Sequence, residues 1–219
     1  MNQMQEKVIM KKSDRVKHRI QSQIAGLGGK GLQTRQIIIE IARKTLIDQG
    51  YEKFVIRQIA KDAGIKPGNL QYYFKNKRDL LAAVLMIEIR RYEDAYTKVA
   101  ESRLGLKETI TAAFNFLLQE IGTKSTANIW YVVWSVAQHD DDIAALMSDW
   151  YATYTNTLKN LFLQSSETLS DKRAGHIAAI TTAVIDGLMV QIGYGKRSVD
   201  IHADIEKTCV DMLHFLAAE

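Results

Sequence analysis

The stretch over residues 55–80 constrains the fold of this chain more than any other. It reads VIRQIAKDAGIKPGNLQYYFKNKRDL and contains the only proline of the sequence, Pro67. Gly64 can take the left-handed conformation that ends a first short helix, because glycine has no Cβ to clash there. Pro67 suits the first position of a second helix, where its missing N–H costs no hydrogen bond. The stretch therefore predicts two short helices joined by a glycine turn.

The second of these helices has one apolar side and one polar side. Leu70 and Phe74, four residues apart, form a single apolar stripe, which leaves Asn69, Gln71 and Tyr72 facing outward. Two short helices that cross at a tight turn, the second with exposed polar and aromatic groups, are typical of a helix-turn-helix that enters a DNA major groove. The alternative is a helical hairpin in an unrelated bundle.

The sequence around this motif resembles the DNA-binding domain of the TetR family of transcriptional repressors. The resemblance covers residues 34–80 without a gap, and four residue pairs carry it: Gly50-Tyr51, Ile59-Ala60, Ala63-Gly64 and Tyr73-Phe74. It implies an all-α fold with a three-helix DNA-binding head over residues 34–80. A larger helical domain for effector binding and dimerisation would follow over residues 81–219, and a basic arm would precede the head over residues 1–33.

Candidate DNA contacts lie along the motif. Arg57 and Lys77 are expected at phosphates, because lysine, arginine and helix N-termini hold the DNA backbone. Gln71 can pair with adenine and Lys66 with guanine, because side chains early in a recognition helix reach base edges. The resemblance implies contacts at Pro67, Gly68, Gln71, Tyr72, Tyr73 and Lys77. The full candidate set is Arg57, Lys66, Pro67, Gly68, Asn69, Gln71, Tyr72, Tyr73 and Lys77.

Two positions depart from the family pattern. The family usually opens the first of the two motif helices with threonine hydroxyls, whereas this chain has Phe54-Val55-Ile56. It also commonly opens the recognition helix with serine or threonine, where this chain has Lys66. Both helices should therefore lack a side-chain cap. Backbone contacts to DNA survive these changes, so they bear on sequence preference more than on affinity.

The charge distribution favours DNA independently of the resemblance. Residues 1–80 carry 17 Lys and Arg against 7 Asp and Glu, whereas residues 81–219 carry 12 against 18. A basic first third joined to an acidic remainder indicates that the first third meets a polyanion. In the arm, Ser13 is a candidate cap for a short helix with Val16, Ile20 and Ile24 on one face. The arm either contacts DNA, along the backbone or in the minor groove, or is a solvated tail with no role.

The sequence gives no sign of an enzyme, a metal site or a cofactor. Its five histidines are scattered, and neither G-x-S-x-G nor HExxH occurs. His202 and Glu206 are expected to form a surface pair. A single cysteine, Cys209, fits a cytoplasmic protein. Residues 177–193 approach a membrane span in composition, but Asp186 within them predicts a buried helix instead. A helical adaptor or membrane-surface protein that uses the basic arm is the alternative to a DNA-binding regulator.

The last two long helices are apolar on two sides, which predicts a homodimer. In the first, Ile177, Ile180, Val184, Leu188 and Ile192 form one stripe, and a second side holds Ile185 and Met189. In the last helix, predicted over residues 200–218, Ile201, Ile205, Cys209, Met212 and Leu216 share a face, with Val210 and Leu213 outside it. A symmetry mate can cover the side that the protomer does not. The alternative is a core helix wrapped fully by its own domain.

The middle helices hold a candidate effector site rich in aromatic residues. An aromatic cage with a nearby carboxylate would suit a cation. The candidates are Trp130, Trp134, Trp150 and Tyr154, with Glu120 or Asp186 as the carboxylate. The segments ANIWYVVWSVAQHDDDIAALMSDWY and VIDGLMVQ also resemble the choline-responsive repressors of betaine synthesis. The alternative is that these rings are core packing. The sequence thus predicts a ligand-responsive repressor that binds a palindromic double-stranded operator as a homodimer, without a membrane.

Overall fold

The computed structural model describes residues 3–196 and 204–218, with side chains from Lys11 onward. These residues form ten α-helices and no strand, so the predicted all-α fold is confirmed. The helices are α1 (Gln3–Ser22), α2 (Gly29–Gln49), α3 (Ile56–Asp62), α4 (Pro67–Tyr73), α5 (Lys77–Glu101), α6 (Leu106–Ile121), α7 (Lys124–Ala137), α8 (Asp141–Gln164), α9 (Asp171–Ile192) and α10 (Ile205–Ala218).

The helix-turn-helix forms where the sequence predicts it. Ala63 caps α3, and Gly64 follows with a φ of 67°, the left-handed conformation that glycine tolerates. Pro67 is the first residue of α4. Val55 and Lys66, the residues before α3 and α4, are extended and make no side-chain cap, so both predicted departures from the family pattern hold in the structure.

The chain divides into two compact units, Met1–Ile89 with Asn128–Trp150, and Arg90–Ala127 with Tyr151–Glu219. In the first unit, α2, α3 and α4 pack around side chains that are fully buried, among them Ile38, Leu46, Ile59, Leu70 and Phe74. In the second unit, α6, α9 and α10 pack together over a core that includes Phe114, Ile177 and Leu213.

The first helix differs from the predicted arm. Ser13 does not cap a short helix, because it lies in the middle of the 20-residue α1 and is fully buried. Its hydroxyl donates to an Asp149 carboxylate oxygen at 3.1 Å. Val16 and Ile20 are 1% and 2% exposed, so one face of α1 is packed against the first unit. A solvated tail is therefore excluded for this part of the chain.

The structure corrects the sides assigned to α9. Ile185 and Met189, predicted to face away from the protomer's own core, are buried inside the second unit at 4% and 2% exposure. The exposed side holds Ala179, Ala183 and Val190 instead. By length and composition α9 is the one helix in the described ranges that could cross a membrane, yet many core helices meet the same criteria. Its packing on α6 and α10 supports the predicted core helix.

The last helix is corrected in the same way. Val210 and Leu213, predicted to lie outside the apolar face, are buried together with Cys209. Met212, predicted on that face, is exposed, as is its neighbour Phe215 at 64%. Residues 200–203, with Ile201 and His202, lie outside the described residues, so the His202–Glu206 pair and the predicted helix start stay untested.

Candidate DNA interface and effector site

The recognition helix α4 has a buried underside and a polar outer face. Leu70 and Phe74 are fully buried and hold α4 on the rest of the first unit. The outer face brings together most of the predicted DNA contacts. Tyr72 is the most exposed aromatic side chain here, at 70%, and Tyr73 is half-buried against its edge at 5.3 Å between ring centroids. The other exposed members are Lys66, Pro67, Gly68, Asn69 and Gln71.

Gly68 lies in the first turn of α4 and has open space around it. A Cβ built on this residue would meet no atom within 4 Å. Nothing inside the chain therefore requires a glycine at this position. A missing side chain on the outer face of a helix allows close approach by a partner's backbone.

Arg57 and Lys77, the two cations predicted to contact phosphates, differ in exposure. Arg57 is exposed in the first turn of α3. Lys77 is half-buried, with its Nζ 3.6 Å from the centroid of the Tyr51 ring and donating to the Tyr51 carbonyl oxygen at 3.2 Å. Burial lowers the pKa of the Lys77 ammonium. The structure thus gives Lys77 a contact within the head, which the sequence did not reveal, and its predicted contact with DNA stays a prediction.

The six predicted effector residues divide between the two units. In the first unit, the rings of Trp130 and Trp150 stack with centroids 5.6 Å apart and an angle of 18° between planes. Both are buried. Trp134 is half-buried and meets the edge of Tyr131 at 5.8 Å. One face of each stacked indole is covered by the other, which supports the alternative that this pair is packing.

In the second unit, Tyr154 belongs to an aromatic cluster that the sequence analysis missed. Its ring stacks on Tyr96 at 5.9 Å, and Phe116 meets the edges of both Tyr96 and Tyr92. Burial raises the pKa of the Tyr96 and Tyr154 hydroxyls, so both are neutral near pH 7. Tyr92 and Tyr96 are four residues apart on α5, a spacing that puts two rings on one helix face and could have revealed them.

The two candidate carboxylates differ in their surroundings. Glu120 is paired, because its Oε2 lies 3.5 Å from an Arg91 guanidinium nitrogen and accepts the Thr126 hydroxyl at 3.0 Å. Asp186 accepts the Tyr151 hydroxyl at 2.8 Å and has no ion pair among the residues that the structure describes. Burial raises the pKa of Asp186 to about 6, although the Tyr151 hydrogen bond lowers it. Of the two carboxylates, Asp186 is therefore the one without a cation in the part of the chain that the structure describes.

Comparison with known proteins decides the family. Residues 38–84 match the bacterial regulatory proteins of the TetR family, and residues 106–217 match the C-terminal domain of BetI-type transcriptional repressors. The second match alone covers about half of the chain. This chain belongs to the TetR family. Its C-terminal domain is of the BetI type, and the resemblance stated from the sequence is confirmed.

A BetI regulator is similar to this chain in sequence, and two solved structures are similar to it in fold. The HTH-type transcriptional regulator BetI of Brucella melitensis biotype 2 is 30% identical over 180 residues, which cover 80% of this chain and 86% of that protein. GusR of Salmonella enterica has the same fold, with a TM-score of 0.69 at 18% identity over 88% of this chain and 99% of that chain. A transcriptional regulator from Saccharomonospora viridis was solved in complex with choline. It has a TM-score of 0.63 at 23% identity, over 84% of this chain and 94% of that chain.

Membership of the TetR family settles the class of function. The chain is a DNA-binding transcriptional regulator of the ligand-responsive repressor type, as predicted. It belongs to a class that is not enzymatic, and the alternative of an adaptor or membrane-surface protein is not favoured. No group of three or more His, Cys, Asp or Glu side chains in the described ranges could hold a metal ion.

Proposed function

We propose that this cytoplasmic regulator binds a palindromic operator as a homodimer, through the outer face of α4, and leaves it when a small organic cation binds near Asp186. The observation that carries the DNA part is the two-sided character of α4. Leu70 and Phe74 are fully buried, whereas Lys66, Asn69 and Gln71 are exposed with no role in the core. Side chains in this position reach base edges when a recognition helix enters the major groove.

The open surroundings of Gly68 support a close contact between α4 and the DNA backbone. A side chain at this position would meet no atom of the protein within 4 Å, and its absence leaves room for a DNA backbone to approach α4 closely. Arg57 adds an exposed cation in the first turn of the neighbouring α3, where it can hold a phosphate.

The exposed apolar residues of α9 and α10 support the homodimer. Val190 of α9 and Tyr194, two residues after α9 ends, are 54% and 46% exposed, and Met212 and Phe215 of α10 are 38% and 64% exposed. Ala183 lies on the same exposed side of α9 and allows close approach of another helix. A symmetric contact in which each protomer presents this pair of helices would remove these side chains from water.

A cationic effector is supported by the state of Asp186. Among the described residues this mostly buried carboxylate has one hydroxyl partner, so it is costly to ionise, and a cation beside it would offset that cost. Tyrosine rings, which attract cations through their faces, lie in the same unit as Asp186. Choline is a suitable probe, because a regulator of the same fold was solved with it.

Operator release by choline tests the proposal. The binding partner is a DNA fragment that carries an inverted repeat from the region flanking the gene, and the measurement is fluorescence anisotropy of that labelled DNA. Choline should release the wild-type protein from the operator, and Asp186→Asn should bind the operator normally but lose the response. Glu120→Gln is the matched control, because Glu120 already has a partner in Arg91, and it should keep the response. A choline response that survives Asp186→Asn would contradict the proposed site.

A further inference from the structure

Three basic side chains of α1, those of Lys12, Lys17 and Arg19, pair with aspartates of the first unit. Lys12 donates to Asp141 at 2.8 Å. Lys17 forms an ion pair with Asp149, the same carboxylate that accepts the Ser13 hydroxyl. Asp141 and Asp149 belong to α8. Lys12 and Lys17, two cations of the predicted basic arm, therefore have partners within the protein.

One residue of α1 joins two other helices. The Arg19 guanidinium lies 3.0 Å from a carboxylate oxygen of Asp79 in α5 and 2.9 Å from one of Asp142 in α8. Gln23 donates to the other oxygen of Asp79 at 3.0 Å. Arg78, the neighbour of Asp79, forms ion pairs with Asp140 and Asp142. Two arginines and three aspartates thus link α1, the first turn of α5 and the first turn of α8.

The position of Asp79 connects this network to DNA recognition. The recognition helix α4 ends at Tyr73, and α5 starts at Lys77, so only a short turn separates them. Asn76 in that turn caps α5 by accepting the Asp79 N–H at 2.9 Å. The Asp79 side chain is 1% exposed. Without Arg19 it would be a buried carboxylate with no cation among the side chains that the structure describes, which strongly disfavours the arrangement around it.

We propose that α1 is a brace for operator recognition and that Arg19 is its positioning residue. By pairing with Asp79 and Asp142 together, Arg19 fixes the first turn of α5 against the first turn of α8. The turn before α5, and with it the orientation of α4, is held as a consequence. This inference rests on the proposed use of α4 to read an operator. It also gives Lys12, Lys17 and Arg19 of α1 a role through aspartates rather than on DNA phosphates.

A matched pair of variants separates a brace from a simple contribution of positive charge. Arg19→Gln and Arg15→Gln each remove one positive charge from α1, but Arg15 lies on the exposed face of the helix. The measurement is affinity for operator DNA and for random DNA at one salt concentration. Arg19→Gln should lower operator affinity about tenfold more than Arg15→Gln does, with equal and small effects of both on random DNA. Equal losses on the operator would overturn the brace.

A second test removes a negative charge from α8 instead of a positive charge from α1. Asp142→Asn removes a negative charge, so it should strengthen DNA binding if only net charge matters. The brace predicts weaker operator binding instead, because both arginines lose a partner. The double variant Arg19→Gln/Asp142→Asn should lose less than the product of the two single losses, because both act on one network. Stronger operator binding by Asp142→Asn would overturn the proposal.

Hydrogen exchange tests the brace without any DNA, and so independently of the proposed function. The amides of residues 67–80 should exchange severalfold faster in Arg19→Gln than in the wild type, while those of α9 stay unchanged. In Arg15→Gln both regions should match the wild type. Unchanged exchange over residues 67–80 in Arg19→Gln would refute the brace, whatever the result with operator DNA.

Discussion

Replacing Asp186 with asparagine should stabilise the effector-free protein at neutral pH. Burial raises the pKa of this carboxyl group to about 6, against an ordinary value of 3.8. Each pKa unit is worth about 1.4 kcal/mol, so keeping Asp186 ionised at pH 7.5 costs up to about 3 kcal/mol. Because part of the side chain reaches water, we expect a gain of about 1–3 kcal/mol from Asp186→Asn. Asparagine keeps an oxygen that can accept the Tyr151 hydroxyl.

The pH dependence of this gain identifies its cause. Between pH 3.8 and about 6 the folded wild type binds more protons at Asp186 than the unfolded chain does, so this group's contribution to stability is lost as the pH rises. In Asp186→Asn, residue 186 does not titrate, so this decrease in stability with rising pH is absent. Urea unfolding at pH 4 and pH 7.5 should therefore show the advantage of the variant growing by about 1–3 kcal/mol between the two values. The same free-energy difference at both pH values, or destabilisation at pH 7.5, would refute the reasoning.

Glu120→Gln is the matched comparison for stability as well. Glu120 has a cation and a hydroxyl as partners, so removing its charge should lower the free energy of unfolding at pH 7.5 rather than raise it. A gain in both variants would mean that the second unit is stabilised by the loss of any negative charge. If Asp186→Asn raises the free energy of unfolding and Glu120→Gln lowers it, the gain arises because Asp186 has no cation among the described residues.

Three further predictions concern DNA, assembly and the head. In competition assays, Gln71→Ala should change the preference at one base pair by about 1–3 kcal/mol, whereas Arg57→Ala should weaken binding to all sequences alike. If Gln71→Ala lost equal affinity for operator and random DNA, Gln71 would not be a base-reading residue. Ala183→Arg should sediment as a helical monomer while the exposed Ala152→Arg stays dimeric, and an intact Ala183→Arg dimer would reject the α9 interface. Lys77→Met should lower the free energy of unfolding by about 0.5–2 kcal/mol, seen as a lower urea midpoint, because the variant loses the cation–π contact with the Tyr51 ring. An unchanged midpoint would mean that this contact contributes nothing to stability.

The helix-turn-helix was predictable because its determinants are local. The left-handed turn at Gly64, the helix start at Pro67 and the spacing of Leu70 and Phe74 all lie within eleven residues. Each is fixed by backbone conformation or by helical periodicity, without reference to the rest of the chain. The fold and the exposed face of α4 followed from them.

The sides of α9 and the role of α1 were not predictable for the opposite reason. Both sides of α9 are apolar, and which side is internal depends on where α6 and α10 pack against it. Met189 and Val190 have similar hydrophobicity, yet the first is buried and the second exposed. Three cations of α1 have aspartate partners more than a hundred residues away in the sequence, such as Asp141 for Lys12. No spacing rule connects such positions.

The effector site was partly predictable. Asp186 stood out as the one charged residue within the sequence of residues 177–193, and the structure leaves it without a cation among the described residues. Glu120 could not be distinguished from it in the sequence, because the pairing with Arg91 depends on how α5 and α6 pack. The tryptophans are large and cluster in the sequence, so they were predicted as the effector site. The ring cluster beside Tyr154 consists of Tyr92, Tyr96 and Phe116, which were not predicted.

Footprinting of the purified protein on the DNA that flanks its gene tests the central claim most directly. A dimer that reads DNA through α4 should protect two symmetric half-sites whose centres lie about 34–36 Å apart, or a multiple of that distance. The protection should persist in an excess of random DNA and disappear in a variant that carries Gln71→Ala together with Lys66→Ala. Uniform protection of every fragment, or the same protection by that double variant, would contradict the account.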